Sequence, residues 1–513
     1  MSHAPPKRPT ARMPRSECGL ALDGPPAVVE AAAVSDAIGG IALGPPRVSS
    51  SRWLYYDTQS TALARAGVTL CVGRKDEGFV QALEAREDPP IAGFFRRTPS
   101  RARLASPDPD LARIAHGGLA ARVRELCAES ALIAQLEVES ALTTRRIALD
   151  GAAIDAGFAV GVARVGDGAL PLARISLVLK SGAARALFRA ALSILEKFPG
   201  LRPANDDGAG LLARLRGDVS RPAAMRRVAL PKRATLNVLM EAALAECMRC
   251  VEHNEATARR EHETEGLHQM RVASRRLRSA LRMFRDELPR ERADWLRAAL
   301  APLADALGAV RDLDVFLALV AVCEASGAPP LDALRARVAH ARAEALASAT
   351  HLLDSPERAR LDLELGLLVF GNDRRDSVRA ERLARPAGEA ARELAARADR
   401  RARKAGRAFA ELRHEDVHRL RLRVKSARYA VELLAPLLPA KRSRRYVNRA
   451  RALQDALGVE SDAQRTRALA ERFGDAGPGV EFLLGYSAGQ VAAGRGERAR
   501  AWRRFRTPRR PWA

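Results

Sequence analysis

Apolar residues follow two different periods along this chain of 513 residues. Up to about residue 215, strand-like stretches such as 67–73, 145–151 and 173–182 alternate with helical ones, and Gly and Pro interrupt the pattern. Beyond about residue 235 the helical period is nearly uninterrupted, with the short Gly/Pro breaks that are typical of antiparallel bundles. The pattern predicts an α+β chain, in which an antiparallel β domain precedes an all-α domain.

The helical part divides into two sets of segments, with a seam near 370–377. The helices of the first set are predicted at about 235–261, 266–287, 290–308, 311–326, 331–351 and 357–369. Those of the second set are predicted at about 378–411, 415–435, 441–457, 462–473 and 478–505. The predicted domains are a disordered basic N-terminus (1–15), the β domain (16–213), a linker (214–230), the helical domain (231–506, with halves at about 231–370 and 378–506) and a basic tail (507–513).

One helical segment occurs twice in the chain, at an offset of 150 residues. HQMRVASRRLRSALRMF begins at His268, and HRLRLRVKSARYAVELL begins at His418. The same offset aligns LADALG at 303–308 with LQDALG at 453–458. It also aligns Asp312 with Asp462. Because each copy of an internal repeat is one structural unit, the helical domain is predicted to be two pseudo-symmetric bundles.

Each copy of the repeat carries a line of positive charge. On a helix that turns about 100° per residue, the basic residues fall on one face and the apolar residues on the other. The apolar face is predicted to be core: Met270, Leu277, Leu281 and Phe284 in the first copy, and Leu420, Ala427, Val431 and Leu434 in the second. Like charges at this spacing repel, and carboxylates are absent from both lines, whereas a solvated face normally mixes signs. We therefore interpret the charged face as an anion site rather than a solvated face.

The candidate binding residues are His268, Arg271, Arg275, Arg276, Arg278, Arg282, His418, Arg421, Lys425 and Arg428. Guanidinium forks suit phosphate oxygens, and imidazole adds a donor whose strength depends on pH. Two such lines that face each other would form a groove for a linear polyanion such as inorganic polyphosphate. Nucleic acid is the rival ligand, but aromatic residues, which stack on bases, make up only 4% of the chain, and Tyr429 is the only one on either line.

Composition agrees with an acidic partner, because 86 Lys and Arg stand against 61 Asp and Glu, a net charge of +25. No run of about 18 apolar residues predicts a membrane span, and the N-terminus has no signal-peptide pattern, so we expect a cytoplasmic protein without a membrane partner. Six cysteines in so long a chain do not make a disulfide framework. The pair Cys247 and Cys250 lies inside a predicted helix and is interpreted as two structural thiols.

The repeated helices resemble the CHAD domain, a helical module associated with polyphosphate. The family signatures are matched by LHQMRVASRRLRS and VHRLRLRVKSARY, and Asn254 and Glu255 lie on a helix like the opening helix of that family. The resemblance covers about 235–506. It implies polyphosphate-binding roles for His268, Arg271, Arg275, Arg278, His418, Arg421, Lys425 and Arg428. From the doubled basic line we also expect docking on polyphosphate granules.

The N-terminal region more faintly resembles a CYTH domain, the β-tunnel of triphosphate-processing enzymes. The resemblance rests on WLYYDTQSTALARAGVTLCVG (53–73), ALDGAAIDAG (148–157) and LVLKSGAARALF (177–188). It implies a tunnel fold over about 16–213. CYTH followed by CHAD is the arrangement of bacterial inorganic triphosphatases.

The ligand positions of the CYTH pattern are largely changed in this chain. The first strand keeps only Glu17 of its ExExK motif, and no carboxylate remains on the strand that should read ElElELK. The changed positions are Gly19, Ala21, Cys71, Gly73, Glu84, Pro99, Arg101, Arg174, Ser176, Val178 and Asp206. Without carboxylates to hold divalent ions, the substrate is not neutralised and no water is activated. We therefore predict a degenerate, open or incomplete tunnel that binds no metal and is catalytically inactive.

These observations favour a non-catalytic polyphosphate-binding protein. The first alternative is a triphosphatase that depends on Mg²⁺ or Mn²⁺, and the second is a nucleic-acid-binding protein. The arginine field predicts that both histidines are largely neutral near pH 7 without ligand. Proton uptake should then accompany binding, and affinity should rise as pH falls from about 8 to 6.

Overall fold

A computed structural model describes most of the chain. The described residues are 16–75, 78–86, 90–114, 117–128, 130–204, 208–216, 221–260, 263–371, 377–475, 477–506 and 510–512. The predicted disordered N-terminus (1–15) and Asp206 lie outside them. The chain forms two compact units, one made of residues 1–219 with 355–373 and the other of residues 220–354 with 374–513.

Eleven strands occur in the described part of the first unit. They are β1 (Glu17–Asp23), β2 (Ala37–Ile38), β3 (Ile41–Ala42), β4 (Arg47–Asp57), β5 (Val68–Lys75), β6 (Gly78–Arg86), β7 (Phe94–Leu104), β8 (Ile133–Leu149), β9 (Ala152–Val165), β10 (Gly168–Ser181) and β11 (Arg202–Pro203). Its helices are α1 (Pro26–Val34), α2 (Ala62–Arg65), α3 (Gly117–Leu126), α4 (Arg185–Lys197), α5 (Gly208–Leu215) and, later in the chain, α11 (Pro356–Phe370).

The strands of the first unit form a closed antiparallel barrel. Eight of them follow the order β10-β9-β8-β4-β5-β6-β7-β1, and β1 closes the ring by pairing with β10 as well as with β7. The α+β class is confirmed, but the prediction of an open or incomplete tunnel is wrong. Closure depends on backbone pairing and on the alternation of side chains, and the loss of polar ligands leaves both intact.

Alternation along the strands explains which face is inside. Leu20 and Leu22 on β1 and Ile175 and Leu177 on β10 are fully buried in a cluster that also contains the apolar side of α4. This face of the sheet therefore points outward and is covered by helices. The intervening residues, such as Glu17 and the residues that pair with it in register, face the interior of the barrel. Helix α11 lies within the range predicted for the first helical half, yet it packs in this unit against α4.

The second unit is helical. Its helices are α6 (Leu236–Ala258), α7 (Thr264–Met283), α8 (Arg290–Ala299), α9 (Ala301–Ala325), α10 (Asp332–Asp354), α12 (Ser377–Ala384), α13 (Ala387–Ala405), α14 (His414–Leu434), α15 (Ala440–Phe473) and α16 (Pro478–Arg506). The 150-residue offset places α6 on α13, α7 on α14, α8 and α9 on α15, and α10 on α16. In each half, consecutive helices of this series contact each other. None of the described helices is long and apolar enough to cross a membrane.

The two halves differ where one helix becomes two. We predicted breaks near residue 309 and near 458–461, but the first half breaks at Leu300 and α15 runs through without one. Pro302 explains the difference, because its ring is accepted only in the first turn of a helix and the equivalent residue is Ala452. The glycines Gly308 and Gly458 lie inside helices and do not end them.

The predicted core face of both motif helices is confirmed. Met270, Leu281 and Phe284 are fully buried and Leu277 nearly so. In α14, Leu420, Ala427, Val431 and Leu434 are also fully buried. Burial of one apolar side chain of this size contributes about 1.5–3 kcal/mol, so this face fixes the direction in which the basic face points.

The C-terminal tail is partly integrated in the helical unit. Trp502 and Phe505 on α16 are buried, and the guanidinium of Arg510 lies 3.3 Å from the buried carboxylate of Asp399. The ring of Trp512 contacts that of Tyr446 at 5.4 Å between centroids. These aromatic side chains are therefore packing residues of the helical unit.

Candidate anion-binding site

Two equivalent arginines on the motif helices have the same surroundings. Arg271 Nη2 on α7 lies 3.6 Å from Asp312 Oδ1, and Arg421 Nη2 on α14 lies 3.9 Å from Asp462 Oδ1. Gly458 on the neighbouring helix leaves room for the guanidinium of Arg421, because a Cβ there would lie 3.2 Å from Nη2, a tight contact. The repeat thus encodes the arginine together with its partner carboxylate.

Arg465 on α15 joins the two arginine–aspartate pairs. Its Nε lies 3.3 Å from Asp312 Oδ2, and its Nη1 donates a 3.2 Å hydrogen bond to Asp462 Oδ1. Since Asp312 belongs to the first half and Asp462 to the second, both halves meet at one place. The repeat does not predict a role for Arg465, because the equivalent residue in the first half is Val315.

Lys425 lies within this group of guanidiniums. Burial, followed by the positive charges of Arg275 and Arg271 on α7, lowers the pKa of Lys425 to about 6. The charge of Arg421 on its own helix acts in the same direction. We call the set Arg271, Arg275, Arg421, Lys425 and Arg465 the central cluster. Arg275 makes no ion pair or hydrogen bond within the described part of the chain, so its charge is uncompensated.

The two histidines differ, although the sequence treats them as equivalent. His268 is half-buried, and burial followed by the charge of Arg311 lowers its pKa below the usual value. Lys425 also contributes to that shift, which places His268 beside the central cluster. The direction of the shift agrees with a largely neutral imidazole at pH 7. His418 is exposed, so the two histidines are not equivalent in this structure.

Several side-chain nitrogens of the motif residues are buried without a hydrogen-bond partner. They are Arg271 Nε, Arg421 Nε, Arg276 Nε and His268 Nδ1. A buried donor without a partner costs about 1–3 kcal/mol, so native proteins rarely keep several in one place. The recurrence at the equivalent atoms of Arg271 and Arg421 points to a functional reason.

Arg276 and Arg428 are partly neutralised. Arg276 Nη2 donates a 2.5 Å hydrogen bond to Glu432 Oε2, and Arg428 Nη1 donates one of 2.9 Å to Glu432 Oε1. The guanidiniums also lie over the ring of Tyr429, at 5.2 and 4.7 Å from its centroid. Our expectation that no carboxylate accompanies the basic lines is therefore wrong. Glu432 lies one turn beyond Arg428, and the aspartates of the central cluster come from other helices.

Arg278 and Arg282 extend the line of α7 away from the central cluster. Arg282 is exposed, and the charges that act on it come from Arg297, Arg423, Arg278 and Arg401. The structure therefore divides the predicted set into three groups. The first group is the central cluster with His268 beside it, and it holds Arg271, Arg275, Arg421 and Lys425. The second group is Arg276 and Arg428, which share the carboxylate of Glu432. The third consists of Arg278 and Arg282, which lie apart from the cluster, and of the exposed His418.

The barrel interior is a second candidate site, and several of its charges are paired with each other. Arg97 on β7 lies 3.4 Å from Glu17 and 2.8 Å from Glu84. Lys180 on β10 lies 4.0 Å from Glu17 and 3.5 Å from Asp155. Glu17, the one carboxylate that the first strand keeps, is therefore held by two cations.

Aromatic rings fill the space beside two of the changed positions. A Cβ at Gly19 would lie 2.5 Å from the ring of Phe95, and a Cβ at Gly73 would lie 2.6 Å from the ring of Trp53. Contacts this short do not occur between real atoms, so a side chain at either position would require the ring to move. The family resemblance assigns a carboxylate to the first position and an arginine to the second.

The interior residues do not fit a centre for divalent ions. On β10, Arg174 pairs with Asp23 at 2.6 Å, and the next interior positions are Ser176 and Val178. Among the described residues, no three His, Cys, Asp or Glu side chains are grouped as they would be around a metal. Cys71 also faces the barrel interior. Burial raises the pKa of its thiol to about 12, so the thiol is neutral.

The remaining thiols that the sequence singled out are also buried. Cys247 is fully buried, and burial raises its pKa well above the usual value. Burial likewise raises the pKa of Cys250 to about 11. Neither forms a disulfide, which agrees with their interpretation as structural thiols.

One family model matches a large part of the helical unit. The family model of the CHAD domain matches residues 242–471. Among curated proteins, none matches the chain. A solved CHAD domain from the plant Ricinus communis is 28% identical over 57% of this chain and 99% of its own length, with a TM-score of 0.49.

Two further solved structures are similar to parts of the chain. PptA from Streptomyces chartreusis is 20% identical over 52% of this chain and 98% of its own, with a TM-score of 0.42. HpAC1 from Hippeastrum, a proposed adenylyl cyclase with a dominant triphosphatase activity, is 13% identical over 40% of this chain and 97% of its own, with a TM-score of 0.26. The eight-stranded barrel has the closed antiparallel form expected of a CYTH-like tunnel. Residues 242–471, which contain both basic motif helices and the central cluster, form a CHAD domain.

Proposed function

We propose that this protein binds inorganic polyphosphate at the central cluster and catalyses no reaction on it. The observation that carries the proposal is the equivalence of Arg271 and Arg421. Each has a buried Nε without a partner, and Arg465 links the two through their aspartates. Phosphate oxygens would accept hydrogen bonds from these donors and would relieve the repulsion around Lys425.

A phosphate chain suits this cluster better than a nucleic acid does. Single-stranded nucleic acids are usually held by aromatic side chains on which the bases stack. Tyr429 is the aromatic residue of the motif helices, but it is buried, and Arg276, Arg428 and Lys425 lie over its ring. It therefore offers no free face to a base, and the cluster presents charge alone.

The barrel supports a non-catalytic role. A metal-dependent triphosphatase needs carboxylates that are free to hold divalent ions. Here Glu17 and Glu84 are held by Arg97, and rings cover Gly19 and Gly73. We propose that the barrel serves as a folded scaffold for a domain that docks on polyphosphate, including polyphosphate granules.

A pull-down with long-chain polyphosphate tests the binding site. The wild type should be retained and the Arg271→Ala/Arg421→Ala variant should be released. Arg444→Ala/Arg445→Ala is the matched control, because it removes the same charge from two exposed residues of α15 that make no ion pair in the described structure. Equal retention of all three proteins would refute the proposed site.

Two further assays test the alternatives. In the first assay, the protein is incubated with tripolyphosphate and Mg²⁺ or Mn²⁺. If phosphate is released, and the release is lost on substitution of Glu17 or Arg97, the protein is a triphosphatase instead. Competition at equal charge and salt separates the ligands. If single-stranded RNA displaces polyphosphate more readily than polyphosphate displaces RNA, the protein is a nucleic-acid-binding protein.

A further inference from the structure

A second basic cavity lies in the helical unit, between α7, α8, α13 and α14. Its volume is about 910 Å³, within the range of small-molecule sites. Seven cationic side chains line it, against two carboxylates. Three of the cations come from α13, a helix that carries none of the family motif residues.

The carboxylates neutralise only part of this charge. Asp294 accepts hydrogen bonds from Arg285 at 3.0 Å and from Arg297 at 2.6 Å, and Asp286 pairs with Arg397. Four cations make no hydrogen bond or ion pair with any described residue. They are Arg282, Arg401, Lys404 and Arg423.

Three of the four unpaired cations, Arg282, Arg401 and Arg423, interact electrostatically. Burial and then the charges of Arg297, Arg423, Arg278 and Arg401 lower the pKa of Arg282. All four of these neighbouring charges are positive. In addition, Arg285 Nε is buried without a hydrogen-bond partner. Such an arrangement destabilises the free protein and attracts an anion.

The cavity does not come from the repeat. At the 150-residue offset, Arg282 is equivalent to Glu432 and Arg423 to Ala273. It is also separate from the central cluster. Arg282 lies eleven residues beyond Arg271, which is about 16 Å along a helix. Arg423 is two residues from Arg421 and points to a different face of α14.

We propose that this cavity, here called the α13 pocket, is a second binding site that takes a short run of linked phosphates, such as tripolyphosphate. Guanidinium forks bind phosphate oxygens bidentately, and the ammonium of Lys404 adds a mobile point charge. No aromatic side chain is among the described residues that line the pocket, so the ligand is an oligophosphate rather than a nucleotide with its stacked base.

Calorimetric titration with tripolyphosphate, with magnesium excluded, tests this site. The wild type should bind two molecules per chain, one at each site. Arg401→Ala/Lys404→Ala should weaken one of the two sites by about 5- to 30-fold, because each exposed ion pair contributes up to about 1 kcal/mol. Both residues are exposed and unpaired, so the variant should fold normally. Arg444→Ala/Arg445→Ala, the matched control, should keep both sites.

The outcomes separate the α13 pocket from the central cluster. The wild type could instead bind one molecule per chain. If that site survives in Arg401→Ala/Lys404→Ala and is lost in Arg271→Ala/Arg421→Ala, the α13 pocket is not a binding site, and the proposed function still holds. One site that is lost only in Arg401→Ala/Lys404→Ala supports the pocket and overturns the central site. If the control Arg444→Ala/Arg445→Ala weakens tripolyphosphate binding as much as the other variants do, the net charge of the protein attracts the ligand, and both proposed sites are refuted.

Discussion

Lys425 is expected to take up a proton when polyphosphate binds. Its pKa of about 6, which results from burial and then from the charges of Arg275 and Arg271, makes the side chain neutral at pH 7.5 in the free protein. Protonation at that pH costs about 2 kcal/mol, at about 1.36 kcal/mol per pH unit. A bound phosphate chain places negative charge beside the ammonium and raises the pKa of Lys425 again.

Affinity should consequently rise as pH falls from 8 towards 6, by up to about tenfold per pH unit for one proton. Below about 6 the rise from Lys425 should end, because the free protein is already protonated there. The pKa of His268 is lowered by burial and then by Arg311, so its own uptake adds to the lower part of this window. The sequence predicts this effect at two histidines, and we expect Lys425 to contribute to it as well.

Two substitutions separate charge from titration. Lys425→Arg keeps a positive charge at every pH, so affinity should become nearly independent of pH above 6. Titration calorimetry at pH 7.5, in buffers that differ in ionisation enthalpy, should count about one proton taken up by the wild type and close to none by this variant. His418→Gln is the control and should behave as the wild type, because His418 is exposed.

The free protein provides a second readout. Because the native pKa of Lys425 lies below its unfolded value, the unfolded chain binds more protons between about pH 6 and 10. The unfolding free energy of the wild type should therefore rise with pH across that window relative to Lys425→Met. The variant should also melt at a higher temperature at pH 7. Undiminished proton uptake in Lys425→Arg, or a wild-type affinity that does not change with pH, would refute this reasoning.

Three further predictions concern the barrel, the C-terminal helices and salt. Gly73→Arg should destabilise the protein by about 1–3 kcal/mol in chemical denaturation, because the ring of Trp53 must move; unchanged stability would contradict the filled interior. Asp399→Ala should lower the free energy of unfolding by about 3–5 kcal/mol, since it leaves the buried side chains of Tyr446 and Arg510 without their partner. A loss below about 1 kcal/mol would contradict that role. Polyphosphate affinity should fall linearly on a logarithmic salt scale, and Arg271→Ala should reduce the slope by about 1; an unchanged slope would place this residue outside the contact.

Much of the helical unit could be predicted because the repeat and the helical period are local signals. The core faces of α7 and α14 follow from spacing alone, and the structure confirms them. The offset of 150 residues also aligns whole helices, from α6 with α13 to α10 with α16. The repeated glycines do not predict the helix break at Leu300, because they lie inside helices, whereas Pro302 allows a helix to begin there.

The composition of the site was less accessible to sequence reasoning. Arg465 and Glu432 have no counterpart in the first half, so a search for repeated residues could not find them. Asp312 and Asp462 were visible as an aligned pair, but their role appears only when α7 and α9 are packed together. Helical spacing placed Arg282 with the central residues, whereas packing places it in another cavity. Tertiary neighbours, which the period of one helix does not encode, decide these cases.

Barrel closure shows a similar limit. The loss of family ligands was read from single positions and led to the expectation of an open tunnel. Closure instead depends on the pairing of β1 with β7 and β10, which needs only backbone groups and alternating apolar side chains. The polar interior changed while the outer apolar face, including Leu20 and Leu177, stayed buried.

A binding titration tests most directly whether both motif helices contribute to one polyphosphate site. Labelled long-chain polyphosphate is titrated at fixed salt and pH with the wild type, Arg271→Ala/Arg421→Ala and the control Arg444→Ala/Arg445→Ala. Two charged hydrogen-bond donors contribute about 1.5–3 kcal/mol each, so the first variant should bind at least about 100-fold more weakly, and the control should stay within about threefold of the wild type. Equal affinities of the two variants would contradict the account, because they would show that net charge alone attracts the ligand.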